Sequence, residues 1–182
     1  MSQFETRGNI ELLSQKPIAL FASKETPKDL YPDAEIFFEK LCRLPVSLAG
    51  GWQAPLEKKL LHKTNTKIKA NVIYYSARDI GKIKISEHLS NLNDNDKLLI
   101  VSAQSRQTRP SQNDIDKRDK LMFTQVHSVL FLYINEGGRL EKYFNDLLSS
   151  QFTVYIFDHP LNQKYKVAGT IPLNTDSLNL II

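Results

Sequence analysis

Cysteine is nearly absent from this chain. Cys42 is the only one in 182 residues, so no internal disulfide can form. The four histidines (His62, His88, His127 and His159) are scattered, which leaves no Cys/His spacing for a metal site. No apolar run approaches the ~20 residues that cross a bilayer. The opening MSQFETRGN lacks the basic-then-apolar layout of a secretory signal. Neither GxGxxG nor GxxxxGK[ST] occurs, which excludes the usual dinucleotide and Walker-type phosphate loops. No Ser/His/Asp or Cys/His order is readable, so no catalytic residue is assigned. These absences lead us to expect a cytoplasmic protein without metal, cofactor or membrane partner.

Glycine is also scarce, yet four of the seven stand in two pairs, Gly50-Gly51 and Gly137-Gly138. Adjacent glycines mark either a turn or a place where backbone or ligand approaches closely. What precedes each pair decides between these. Apolar runs at Ile18–Ala22, Val46–Ala49, Val72–Tyr75, Leu98–Val101, Val129–Ile134 and Phe152–Phe157 read as buried strands. Between them, Ala34, Phe37, Phe38, Leu41 and Cys42 fall on one helical face. Pro55 suits the first turn of a second helix. Ser111, with Asp114 three residues on, caps another that runs to about Val126. Leu140, Tyr143, Phe144, Leu147 and Leu148 mark the last. Residues 80–96 are too polar to assign, apart from a turn at NLNDND.

Alternating strands and helices predict an α/β fold, doubly wound, with a mostly parallel sheet and helices on both faces. We read one Rossmann-like domain over 1–182: a lead-in at 1–16, a core at 17–160, and a tail at 161–182. The tail is expected to add an edge strand or an oligomer contact. Ligands of such folds sit beyond the carboxyl ends of the strands. Here those ends carry Ser23-Lys24, Gly50-Gly51, Arg78, Ser102 through Arg106, and Gly137-Gly138-Arg139. Small, hydroxylic and cationic residues therefore gather on one rim.

The formal net charge is +4, and the excess is uneven. Residues 57–69 hold five lysines against Glu57 alone, and 104–120 hold Arg106, Arg109, Lys117, Arg118 and Lys120 against three aspartates. Two basic patches near strand ends point to a polyanionic partner, either a nucleic acid or a nucleotide. Helix N-termini after the glycine pairs offer N–H groups that can cradle phosphate. Helical spacing sets Arg118 beside the apolar stripe of its helix, where it either meets a structural carboxylate or aims at the rim. Glu57 either satisfies the N-terminus of its helix, pairs with Arg78, or binds a ribose hydroxyl. Trp52 either stacks on a base or packs into the core.

Several of these residues fall in segments that resemble the DNA-processing protein A (DprA/Smf) family. GNIELLSQKPIALFASK is similar to a GN-x-x-LL lead-in and a strand ending in G-S-R, with Ala22-Ser23-Lys24 at that ending. AGGWQAPLEKKLLH resembles a branch reading G-F-x-S-P-x-E before a strand that ends in A-R. That pattern falls on Gly51, Trp52, Pro55, Glu57 and Ala77-Arg78. Lys117-Arg118-Asp119-Lys120 stands where the family carries R-N-R, followed by its strand and glycine-rich turn. The resemblance covers about residues 8–160 and implies a lone Rossmann module that binds single-stranded DNA or a nucleotide at a basic rim. It also implies a recombinase-type protein partner and, as a further expectation, a homodimer. Lys24 replaces an arginine and so cannot reproduce its bidentate fork. The ligand-binding set is then Ser23, Lys24, Gly50, Gly51, Trp52, Glu57, Arg78, Arg106, Arg109, Arg118, Gly137 and Gly138. Two other readings compete with it. One is a phosphoribohydrolase-type enzyme using Glu57 or Glu141 with Arg78 and Arg118, which resembles a related family with a P-G-G-x-G-T-x-x-E motif. The other is a protein-interaction module with a degenerate rim.

Overall fold

The six expected strands are present, and two more join them at the sheet edges. The computed structural model describes residues 4–64, 67–103 and 109–181. Its strands are β1 (Glu5–Gly8), β2 (Ile18–Ala22), β3 (Ser47–Gly50), β4 (Asn71–Ser76), β5 (Leu98–Ser102), β6 (Ser128–Tyr133), β7 (Thr153–Phe157) and β8 (Thr170–Leu173). Its helices are α1 (Tyr31–Leu41), α2 (Pro55–Lys63), α3 (Glu87–Asn93), α4 (Gln112–Phe123) and α5 (Arg139–Leu148). The strands lie in the order β1-β5-β4-β3-β2-β6-β7-β8, and only the β1–β5 pair is antiparallel. The tail supplies β8, parallel to β7.

Parallel strands covered on both faces bury every residue, which is why they read as unbroken apolar runs. On β2, Ile18, Leu20 and Ala22 point to the face that α1, α2 and α3 cover, where Phe37, Phe38, Leu56 and Leu60 are large buried members of the same core. Ala19 and Phe21 face the opposite side, toward Met122 of α4 and Phe144 of α5. Full burial of a ring such as Phe37 stabilises the fold by about 1.5–3 kcal/mol relative to its exposed state. The helices therefore cover both faces, and the architecture is the expected doubly wound one.

Two local expectations change. Helix α4 stops at Phe123, short of Val126. There the Thr124 hydroxyl donates to the Leu121 carbonyl at 2.7 Å, and Thr124 caps the helix instead of extending it. The polar stretch 80–96 holds a 3₁₀ turn at Ile80–Lys82, capped by Asp79, and α3, capped by Ser86. Helix α3 buries only Leu89 and Leu92, too few apolar positions to show a period. The turn expected at NLNDND falls at 94–96, where Asp96 takes a left-handed φ of 57°.

From β2 the chain winds through α1 to β3 and on to β5, then returns over the sheet through α4 to β6. Strand β2 thus has neighbours reached by windings of opposite direction. A crevice opens beyond its carboxyl end, the usual ligand position in this architecture.

Candidate functional site

Two strand ends and a helix start are stitched together at that crevice. Ser23 is buried; its N–H donates to the Tyr133 carbonyl at 3.0 Å, and its Oγ accepts from the Asn135 N–H at 2.8 Å. These bonds tie the end of β2 to the end of β6. Glu57 ties β2 to the start of α2. Its Oε1 accepts from Ala22 N–H at 2.9 Å, and its Oε2 accepts from Gln53 N–H at 2.9 Å and Ala54 N–H at 3.2 Å. The N-cap residue Ala54 has no side-chain acceptor, so this is the glutamate half of a capping box alone. Glu57 is thus committed to backbone donors, not to Arg78 or a ribose. Burial pushes its carboxyl pKa up, against the pull of the three N–H bonds and of Arg118.

Neither Gly50 nor Gly51 adopts a left-handed φ; that conformation falls on Trp52, at 53°. Close approach explains the pair instead. A Cβ on Gly51 would stand 2.5 Å from Nη1 and 2.6 Å from Cζ of Arg118, so the missing side chain is the seat of that guanidinium. A Cβ on Gly50 would press on the Trp52 ring at 3.2 Å. Trp52 itself is buried, packs edge-to-face on Phe38, and donates Nε1–H to the Ile73 carbonyl at 3.2 Å. It is a core residue, not a stacking surface for a base.

Arg118 lies beside the apolar stripe, as its spacing requires, and is only 4% exposed. Its Nε and Nη2 both donate to Oδ1 of the buried Asp119, at 2.8 and 2.6 Å. The other Asp119 oxygen accepts from the Tyr143 hydroxyl and pairs with Arg139 Nη1, each at 3.1 Å. One carboxylate therefore clamps two guanidiniums. Among the described residues, Arg118 Nη1 makes no hydrogen bond.

The two arginines stand where two cavities meet. The first, about 440 Å³, is the switch-point cleft, lined by Ser23, Lys24, Gly51, Glu57 and Gly138 together with both arginines. The second, about 670 Å³, lies toward α2 and α3 and holds Lys58, Arg78, Lys82 and Lys84 beside the same pair. Gln53 and Ile115 also line both. The second cavity has no acidic residue in its lining, whereas the cleft includes Glu25 and Glu57.

The second glycine pair behaves differently. Gly137 has a left-handed φ of 73°, which the turn into α5 requires, and its N–H donates to Glu141 Oε2 at 2.7 Å. Gly138 N–H is held by the Asn135 carbonyl at 3.1 Å. At α2 and at the Gly137-Gly138 turn, these backbone donors are already satisfied within the chain, mostly by Glu57 and Glu141. Glu141 also accepts from Lys164 and Tyr165, and the Gly137 N–H leads the interactions that lower its pKa. The donors held in this way are the N–H groups of Gln53, Ala54, Gly137 and Gly138.

The basic patch at 57–69 divides in the same way. Lys59 and Lys63 pair with Glu35, and Lys63 also with Glu39, while the neighbouring Lys58 faces the larger cavity. Lys24 is exposed at the cleft. Arg109 is exposed and lines neither cavity, and Arg106 lies outside the described residues. Tyr74, Lys82, Lys84 and Arg139 were missed as site residues. The nearest signal was for Arg139, which directly follows the glycine pair. Among the described residues no group of three or more His, Cys, Asp or Glu could hold a metal ion, and no helix is long and apolar enough to cross a membrane.

No protein-family model matches the sequence, and no curated protein matches it. Solved structures do match. DNA processing protein A from Streptococcus pneumoniae aligns at 12% identity with a TM-score of 0.75, over 98% of this chain and 65% of that one. DNA processing protein A from Helicobacter pylori, described with a single-stranded DNA binding mode, aligns at the same identity and TM-score. There the alignment covers 98% of this chain and 86% of that one. The chain thus spans about two thirds of the length of the pneumococcal protein. Its fold is the DprA-like Rossmann fold.

Proposed function

We propose that this chain binds single-stranded DNA in the switch-point cleft, in the service of DNA processing. One observation carries the reading. Two guanidiniums, held by a single buried aspartate, meet at the crevice beyond the strand ends, and among the described residues Arg118 Nη1 has no hydrogen-bond partner there. A guanidinium fixed in this way needs no reordering to donate to phosphate, so little side-chain entropy is lost on binding. Ser23, Lys24, Gly51 and Gly138 complete the cleft wall. A recess of about 440 Å³ receives part of one strand, whereas a duplex is too broad to enter it. The likeness in fold to the Helicobacter pylori protein supports the same ligand class.

Fluorescence anisotropy with a labelled oligothymidylate tests the reading, with duplex DNA and adenosine monophosphate as competitors. We expect the single strand to bind and to be displaced poorly by either competitor. Arg139→Ala, at a half-exposed position, should weaken binding about tenfold, the scale of a lost charge-assisted contact. Equal affinity for duplex, or full displacement by the mononucleotide at matched concentration, would overturn it.

A further inference from the structure

We infer that the larger cavity is a second nucleotide site, into which the strand continues from the cleft over the Arg118–Arg139 ridge. This rests on the reading of the cleft just given and extends it to ligand length. The two cavities share both arginines, Gln53 and Ile115, and so adjoin along one wall. Among the described residues, six lysines and arginines line the second cavity: Lys58 from α2, Arg78 after β4, Lys82 and Lys84 before α3, and the two shared arginines. Among the described residues no acidic side chain lines it; nearby counter-charges are Asp119 behind the arginines, Asp79 beside Lys82, and Glu57, which accepts from Gln53 N–H. Lys58, Arg78 and Lys84 make no ion pair among the described residues. A cavity that concentrates one sign of charge in this way selects a polyanion.

The cavity also has an aromatic surface. Tyr74 lines it half-buried, with its hydroxyl accepting from Gln53 Nε2 at 2.7 Å. It supplies the ring that Trp52, sunk in the core, does not. Cations along a groove with an aromatic face are the usual elements of sequence-tolerant single-strand binding. The occupant is the next part of the same strand: a base against Tyr74, with its phosphates among Lys58, Arg78 and Lys84. A volume of about 670 Å³ is within the range that receives small ligands.

Titration of the wild type and of Lys58→Ala/Lys84→Ala with dithymidylate and hexathymidylate tests this. Both lysines are exposed, so the fold should tolerate the change, and circular dichroism verifies that. In the wild type the hexamer should bind at least about tenfold tighter than the dimer, as expected for two added phosphate contacts. The double variant should lose that advantage and bind the two oligonucleotides within about twofold of each other. A hexamer affinity unchanged in the variant, with the dimer still bound by both proteins, overturns the second site and leaves the cleft reading standing. Failure of the wild type to bind either oligonucleotide overturns both.

Discussion

The two cavities meet at the same pair of arginines but answer opposite electrostatic questions. In the cleft, Glu57 occupies the backbone donors at the start of α2, while beside it Glu141 takes the Gly137 amide in the turn before α5. Among the described residues the larger cavity has no acidic lining, and Lys82 and Lys84 reach it from a stretch the sequence shows poorly. A phosphate loop of the P-loop kind leaves backbone amides open for its ligand. Here Glu57 and Glu141 hold the Gln53, Ala54 and Gly137 amides within the fold. The comparison teaches that a glycine pair at a strand end can serve packing. At Gly51 it makes room for a guanidinium.

The largest effect should come from breaking the clamp that both cavities share. Asp119→Ala leaves Arg118 buried without a partner, which costs about 3–5 kcal/mol of stability by denaturant unfolding. A loss below 1 kcal/mol would mean that Arg118 finds another carboxylate or water, and would loosen the link between clamp and cleft.

The two internal glutamates sharpen the comparison next. Glu57→Gln turns an amide NH₂ toward backbone N–H donors, which lose the carboxylate oxygen that accepted from them. We expect a cost of about 2–3 kcal/mol, read as a fall of roughly 4–12 °C in Tm. Their pH dependences should have opposite signs. Burial raises the folded pKa of Glu57, so its contribution is fully present below the ordinary carboxylate pKa and is lost as pH rises through the raised value. The Gly137 N–H and Lys164 lower that of Glu141, so its contribution is present above the ordinary value and is lost as pH falls through the lowered one. Urea unfolding across the acid range should show the wild-type advantage over Glu57→Gln shrinking toward neutral pH. The advantage over Glu141→Gln should shrink toward acid. Parallel curves for the two variants would contradict the assignment.

A smaller effect separates two adjacent lysines. Lys59 is paired with Glu35, an exposed ion pair whose loss costs about 0–1 kcal/mol and leaves binding alone. Lys58 lines the cation cavity, so Lys58→Ala should reduce the magnitude of the log–log salt slope of oligothymidylate binding by about 0.7. Equal effects of the two substitutions on that slope would show that the patch acts only through its summed charge.

The fold was legible because parallel strands buried on both faces leave apolar runs that polar helices interrupt. Strand ends in this architecture face one way, and of the residues expected on one rim Ser23, Gly51, Arg118 and Gly138 line one cleft while Arg78 lines the other cavity. The role of each residue was not legible. Glu57, Trp52 and Gly51 each had two chemically sound readings, and partners distant in sequence decided between them: Ala22 N–H, the Ile73 carbonyl and Arg118. Arg139 and Tyr74 were missed because an arginine after a turn and a tyrosine in a strand carry no local sign of a shared cavity. Lys82 and Lys84 sit in a stretch whose two buried leucines give no periodicity.

The central claim is that clamped cations at the strand ends bind the backbone of single-stranded DNA. A titration of wild type and Arg118→Lys with oligothymidylate over a salt series tests it most directly. Three to five phosphate contacts predict a log–log slope of roughly −2 to −3.5 for the wild type. Arg118→Lys keeps the charge but loses the planar fork, so its slope should stay similar while affinity falls about tenfold. A wild-type affinity that is flat from low to moderate salt would contradict the account, because no phosphate contact would then be releasing counterions.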